Sequence, residues 1–203
     1  EQRGRNVQLR AGPIDPSDII RDEVLGGRYA TVLTSGTLSV EGSFDYAIRR
    51  LGLREARTLS VPSEFDFRSQ ALLYLPTEMP DPRSREFNAS AAEEIEALVE
   101  YSQGRAFVLF TSYAAMREVR DEIDGRVPWP LLVQGDAPRS ALLRDFRATP
   151  NAVLLATSSF WQGIDVAGEA LSCVIIDRLP FASPGDPTEA ARIRTIQAQD
   201  GEP

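Results

Sequence analysis

The stretch Ala106-Phe107-Val108-Leu109-Phe110-Thr111-Ser112-Tyr113 decides how this chain folds. Its five apolar residues run without a polar interruption, so a strand built from them has both faces covered, as in a parallel sheet. The run ends on two hydroxyl residues. Behind them Met116, Val119 and Ile123 recur at helical spacing, so the strand passes through a short polar loop into an amphipathic helix. Upstream, Ser90 and Glu93 have the spacing of a capping box ahead of a helix with Ile95, Leu98 and Val99 on one face, and Gly104 closes it.

The same alternation extends in both directions. Downstream, Leu131 to Val133 reads as a strand, Arg139 to Phe146 as a helix buried through Leu142, Leu143 and Phe146, and Ala152 to Ala156 and Cys173 to Ile176 as two further strands. Asp186-Pro187-Thr188-Glu189 carries the cap of a last helix. Upstream, Asp15 caps a helix that opens on Pro16, buries Ile19, Ile20 and Val24 and stops at Gly26-Gly27. Ala30 to Thr34 and Ala71 to Leu75 read as strands, with a helix from Phe44 to Leu51 between them and a charged, proline-containing loop from Pro76 to Asn88. Strands alternating with helices predict an α/β fold, a doubly wound, mostly parallel central sheet flanked by helices. The 203 residues read as one domain, 1–203, with Pro62 the place where a split would fall.

Absences narrow the chemistry. The chain has no His and no Lys, and Cys173 is its single cysteine. Histidine-based nucleophilic triads and His-ligated metals are excluded, and neither a zinc nor an iron–sulfur cluster can be built from one thiol. Cys173 reads as a small core hydrophobe beside Val174-Ile175-Ile176. A phosphate-cradling P-loop needs its lysine, so no complete site of that type is here, and the G-x-G-x-x-G dinucleotide pattern is missing too. The net charge of −8 argues against a freestanding nucleic-acid binder. It leaves room for a DNA-tracking domain whose arginines line one groove. No apolar run approaches the roughly 18 residues of a membrane span and no secretory signal is visible, so the expected location is cytoplasmic. The chain opens without Met and ends on Gln197-Ala198-Gln199-Asp200-Gly201-Glu202-Pro203, and it reads as a piece of a longer polypeptide.

In open parallel sheets ligands bind beyond the carboxyl ends of the strands. Those ends carry Thr34-Ser35-Gly36-Thr37, Thr111-Ser112-Tyr113, the run from Thr157-Ser158-Ser159 to Gly163-Ile164-Asp165, and Asp177-Arg178. Hydroxyls and backbone N–H groups there suit phosphate oxygens. Each has a bland reading as well. Trp161 reads equally as a packing or a base-stacking residue, Tyr113 as an interface residue or a DNA contact, Asp165 as a turn residue or a site residue. Arg178 pairs with a carboxylate or faces a ligand. Arg139 and Arg144 read as a solvated helix face, Trp129 as a loop anchor, and Ser90, Glu93, Asp186 and Glu189 as caps.

The same loops carry a family resemblance over essentially the whole chain. Thr34-Ser35-Gly36-Thr37-Leu38 resembles the T-S-(A/G)-T-L motif of the DinG/XPD-type superfamily 2 ATP-dependent DNA helicases, and Phe110-Thr111-Ser112-Tyr113 resembles their F-x-S-Y. Phe160-Trp161-Gln162-Gly163-Ile164-Asp165 is similar to their F-W-(E/Q)-G-(I/V)-D, and Leu179-Pro180-Phe181 through Asp186-Pro187 to their L-P-F-x-x-P-x-D-P.

The resemblance implies the second, C-terminal RecA-like domain of a 5′-to-3′ helicase. It implies a three-layer sandwich, ATP and Mg2+ in a cleft shared with the first RecA-like domain, and single-stranded DNA running across both. By similarity Gly163 and Asp165 face the nucleotide. Ser112, Tyr113, Thr157 and Ser158 face the DNA backbone, and Ser35 and Thr37 couple hydrolysis to domain movement. The family's Q-x-x-G-R-x-(I/L)-R motif, source of the γ-phosphate arginines, is absent from the sequence, as are the first domain's Walker elements. The chain alone is therefore expected to hold no catalytic residue of its own and to be inactive. An iron–sulfur cluster, where the parent has one, would lie elsewhere in it. The competing reading is a RecA-like binding or regulatory module that has lost catalysis.

Overall fold

The computed structural model describes residues 12–27, 30–161, 163–181 and 186–198. Gln162, residues 182–185 of the proline motif and the tail from Gln199 lie outside the described residues. The chain divides into two compact units, Tyr74–Phe181 and a second made of Glu1–Leu73 with Ala182–Pro203.

In the second unit, helix α1 (Ser17–Ile19) runs on as a π-helical stretch, Ile20–Val24. Pro16, not the expected Asp15, is its N-cap residue, although the Asp15 carboxylate accepts the Ser17 N–H at 3.0 Å, and Ile19 and Val24, expected on its buried face, are exposed. Helix α2 (Asp45–Arg50) is tied back by Arg50, whose guanidinium donates to the Ile14 carbonyl at 2.9 Å. Helix α3 (Phe67–Gln70) is a single turn capped by Asp66.

The strands expected at 30–34 and 71–75 do not form. Val32 is 87% exposed and Leu72 92%. Apolar β-branched sequence supplies a propensity, but a strand exists only where a neighbour completes its hydrogen-bond ladder.

The unit Tyr74–Phe181 holds the sheet. Helix α4 (Phe87–Ser102) leads into strand β1 (Ala106–Leu109), helix α5 (Tyr113–Ile123), strand β2 (Leu131–Val133), helix α6 (Arg139–Ala148), strand β3 (Val153–Ala156) and strand β4 (Cys173–Ile176). The sheet order is β2-β3-β1-β4 and every pairing is parallel, with Ala106 in register with both Val153 and Cys173. Side chains alternate between two cores. Val108, Phe110, Val153 and Leu155 pack under α4 and α5 with Ile95, Met116, Val119 and Ile123. Phe107, Leu109, Leu154 and Ala156 pack under α6 with Leu142, Leu143 and Phe146. Burial on both faces is why β1 and β3 read as unbroken apolar runs, and the result is the three-layer α/β arrangement expected of the RecA-like class. No helix among the described residues is long and apolar enough to cross a membrane.

Two local expectations change. Ser90 and Glu93 do not cap α4, which starts a turn earlier at Phe87 because Phe87, Ala91 and Ala92 are all buried and hold that first turn to the core. Glu189 does not close a capping box on helix α7 (Pro187–Ala198) of the other unit. Asp186 alone accepts the Thr188 and Glu189 N–H groups, and Glu189 pairs with Arg192 instead. Gly104, expected as the stop of α4, sits at φ +73°, and a Cβ there would lie 1.9 Å from the Asn151 carbonyl oxygen. Only glycine lets β1 begin so close to the chain entering β3.

The connections define where a ligand can sit. After β1 the chain turns to the face covered by α5, whereas after β3 it turns to the opposite face, where Phe160 is buried with α6. Adjacent parallel strands whose connections diverge leave a crevice at their carboxyl ends, the usual ligand position of such sheets.

Candidate functional site

That crevice is spanned by one side chain, Gln134, the first residue after β2. Its carboxamide oxygen accepts both the backbone N–H of Thr157, at 2.6 Å, and the Thr157 hydroxyl, at 3.0 Å. Its nitrogen donates to the Tyr113 hydroxyl at 2.5 Å and to the Ser159 hydroxyl at 2.9 Å. The loops after β1 and β3, whose bonded residues lie 21 to 25 positions from Gln134 in sequence, are thus joined to the loop after β2 at one amide. An amide with both N–H groups and both oxygen lone pairs engaged is fully satisfied.

Of the four residues expected to meet DNA, Tyr113 and Thr157 bond to this amide, whereas among the described residues no hydrogen bond joins Ser112 or Ser158 to it. Among the described residues Thr157 is the one buried polar residue, at 4% exposure, while Tyr113 is 47% exposed and Ser158 and Ser159 are exposed. Ser112 is the N-cap of α5, its hydroxyl accepting the Ala115 N–H at 3.1 Å.

Beyond Ser158–Phe160, a 3-10 turn, the chain reaches Gly163 and Asp165. Gly163 has φ +68°, a left-handed conformation that suits glycine. Ile164 and Val166 pack inward against the α6 core, which turns Asp165 outward, exposed. Helix α6 holds this loop by its backbone. Arg147 donates to the Asp165 carbonyl at 2.6 Å, and Arg139 lies 5.5 Å over the Phe160 ring with its nitrogen 3.4 Å from the Gly163 carbonyl. Arg139 is therefore not on a purely solvated face as expected. Arg144 is, and among the described residues it pairs only with its neighbour Asp145. Trp161 packs against the same core, and its indole N–H is shut off from solvent without a partner among the described residues, which favours the packing reading over base stacking.

At the far side of β1, Asp177 and Arg178 close the sheet edge. Asp177 accepts the Thr111 N–H at 3.1 Å, and Arg178 pairs with Asp177 at 2.9 Å. Arg178 thus has the carboxylate partner of its bland reading. Cys173 and Trp129 pack against the core as expected, and burial pushes the Cys173 thiol up.

Ser35 and Thr37 belong to the other unit, where the Ser35 hydroxyl accepts the Thr37 N–H at 3.2 Å in a local turn. Among the described residues no group of three His, Cys, Asp or Glu side chains is placed to hold a metal ion. An exposed glycine loop and a single outward carboxylate fit one wall of a nucleotide site and no more.

Gln134, Ser159, Arg139 and Arg147 are the residues of this edge that motif reading passes over. For Gln134 a signal existed: it occupies the same place after its strand as Asp177 does after β4.

The model of the helicase C-terminal domain matches residues 95–203. The chain is 36% identical over 203 residues, its whole length, to the ATP-dependent DNA helicase YoaA of Escherichia coli, of which that covers 32%. It is 38% identical over 95% of its length to the ATP-dependent helicase DinG of Mycobacterium tuberculosis, covering 30% of it. Over 97% of its length it is 34% identical to the 3'-5' exonuclease DinG of Bacillus subtilis, covering 22%. The chain thus spans about a third, or less, of these relatives.

Proposed function

Since the chain belongs to the helicase C-terminal domain family, we propose that it is the second RecA-like motor domain of an ATP-dependent 5′-to-3′ DNA helicase. In this reading it contributes one wall of the ATP cleft and part of the single-stranded DNA track. The observation that carries the reading is the crevice edge. One side of it gathers Tyr113, Thr157 and Ser159 around a satisfied amide, with Ser112 and Ser158 beside them in the chain. The same loop then delivers Gly163 and Asp165 to a stretch held by α6.

The roles follow from chemistry. Neutral hydroxyls at a strand edge suit the sugar–phosphate backbone, which fixes position and register without reading sequence. Gly163 and Asp165, on a loop whose backbone is pinned by Arg139 and Arg147, face the nucleotide. Bound ATP with Mg2+ supplies the phosphoryl chemistry, and the metal is held by the first motor domain of the same polypeptide. Ser35 and Thr37 link hydrolysis to movement between the motor domains. The functional domain extends over 1–203 as a whole.

The test is Asp165→Ala in the full-length protein. DNA-stimulated ATP hydrolysis is expected to fall by roughly tenfold or more, the scale of one hydrogen bond involving a charged group. Single-stranded DNA affinity should stay within about twofold, below the scale of one neutral hydrogen bond. Equal loss of DNA affinity, with hydrolysis per bound complex unchanged, would place Asp165 on the DNA side and overturn the assignment.

A further inference from the structure

The Gln134 amide determines where each neighbouring hydroxyl proton points. Its oxygen is identified by the Thr157 backbone N–H at 2.6 Å, because a flipped amide would set N–H against N–H. That oxygen only accepts, so the Thr157 hydroxyl gives its proton to it. The amide nitrogen only donates, so the Tyr113 and Ser159 hydroxyls each take an N–H into a lone pair and keep their own proton. Neither of those protons has an acceptor among the described residues. Burial sorts the three in the same way: Thr157 is 4% exposed, Tyr113 47%, and Ser159 is exposed.

Phosphate oxygens are acceptors and need donors. We propose that the groups on this edge that bind a phosphate of single-stranded DNA are the Tyr113 and Ser159 hydroxyls. Thr157 and Gln134 are then positioning residues that set the donor polarity of that pair. The proposal rests on the reading of this edge as the DNA track, and it reassigns the contact within it. Thr157, with its proton committed and its side chain buried, has nothing to offer a phosphate. Ser159, absent from the motif-based assignment, does.

The experiment is equilibrium binding of the full-length protein to several single-stranded oligonucleotides of unrelated sequence, without nucleotide. Tyr113→Phe and Ser159→Ala are small changes at exposed positions. Each should weaken binding by roughly tenfold on every oligonucleotide, the scale of a hydrogen bond to a charged group. Thr157→Val keeps the backbone N–H on Gln134 and should weaken binding less than either. Gln134→Glu, nearly isosteric, should weaken it more than Gln134→Met. A carboxylate accepts from Tyr113 and Ser159, turns both protons inward, and adds a negative charge beside the phosphate.

A double-mutant cycle separates positioning from a general structural role. In a Tyr113→Phe/Ser159→Ala background, Gln134→Met should cost little further affinity. If Thr157→Val costs more than both hydroxyl variants, the reassignment is wrong and the DNA-track reading stands. Full, additive cost of Gln134→Met in the double background likewise removes its positioning role. If none of Ser112→Ala, Tyr113→Phe, Ser159→Ala and Thr157→Val alters binding to any oligonucleotide, the track is elsewhere and both readings fall together.

Discussion

Arg178→Ala is expected to cost about 3–5 kcal/mol of stability at neutral pH, the range for removing one partner of a buried ion pair. The Asp177 side chain is 2% exposed and that of Arg178 25%. The guanidinium donates to the Asp177 carboxylate at 2.9 Å, to the Pro82 carbonyl at 3.0 Å and to Asn88 at 3.1 Å, and lies 4.2 Å over the Phe87 ring. It therefore ties the loop before α4 to the end of β4. Alanine would leave the Asp177 carboxylate buried with only the Thr111 and residue-178 N–H groups to hold it.

The loss should depend on pH. Burial pushes the Asp177 carboxyl above its ordinary 3.8, while the Arg178 charge and the N–H donors pull it back. A carboxyl whose folded pKa is raised favours the native state when protonated. That contribution is present at low pH and is lost as pH rises from the unfolded value through the folded one. Without Arg178 the folded pKa rises further. The defect should therefore be largest near neutrality and shrink as pH falls through that raised value. Urea unfolding of the variant and the parent from pH 7 down to pH 4 checks this. Asp177→Asn in the Arg178→Ala background should recover part of the loss at pH 7. A loss below about 1 kcal/mol, flat with pH, is the signature of a solvent-screened surface pair and would show that the bridge does not hold the edge.

Which parts of the molecule were legible beforehand follows from what each signal depends on. The runs at 106–109 and 153–156 were legible because each is covered on both faces, and burial leaves its mark on every residue of such a strand. The runs at 30–34 and 71–75 have comparable composition and form no strand. Their hydrophobicity is local information, whereas strand formation depends on a partner that no local window contains. The start of α4 failed differently. Ser90 and Glu93 have capping-box spacing, but Phe87 is buried beneath the Arg178 guanidinium, and tertiary packing overrides a cap worth about 1 kcal/mol.

The candidate site divides along the same line. Hydroxyl residues at strand ends could be found because their position follows from the alternation of strands and helices. The centre that organises them could not be found that way. Gln134 reads as one polar residue in a turn until three loops fold onto it. Arg139 and Arg147 lie on the polar side of an amphipathic helix, where arginine ordinarily means solvation. Their role appears only once Gly163 and Asp165 are brought alongside. A backbone carbonyl as partner leaves no trace in the sequence, because every residue has one.

The chain by itself is expected to hydrolyse no ATP, with or without single-stranded DNA, and this is the largest effect anticipated here. It contains no lysine, so it has no P-loop lysine to reach the β- and γ-phosphates. The Q-x-x-G-R-x-(I/L)-R arginines are absent from its sequence, and an arginine finger is worth about 10³–10⁵ in rate in phosphoryl transfer. Among its described residues no group of three His, Cys, Asp or Glu side chains is placed to hold a metal ion. The pinned Gly163–Asp165 loop, in its proposed place against the nucleotide, brings no positive charge to meet the charge that develops as the γ-phosphoryl leaves. In the full-length protein the proposed role of this loop in DNA-stimulated hydrolysis is what the Asp165→Ala comparison measures. The check is phosphate release by the repurified chain at high protein concentration, beside its own Asp165→Ala variant as a control for contaminating ATPase. Turnover that survives repurification, is stimulated by single-stranded DNA and disappears in the variant would mean that the chain carries a complete catalytic site. The proposed division of labour between two motor domains would then have to be abandoned.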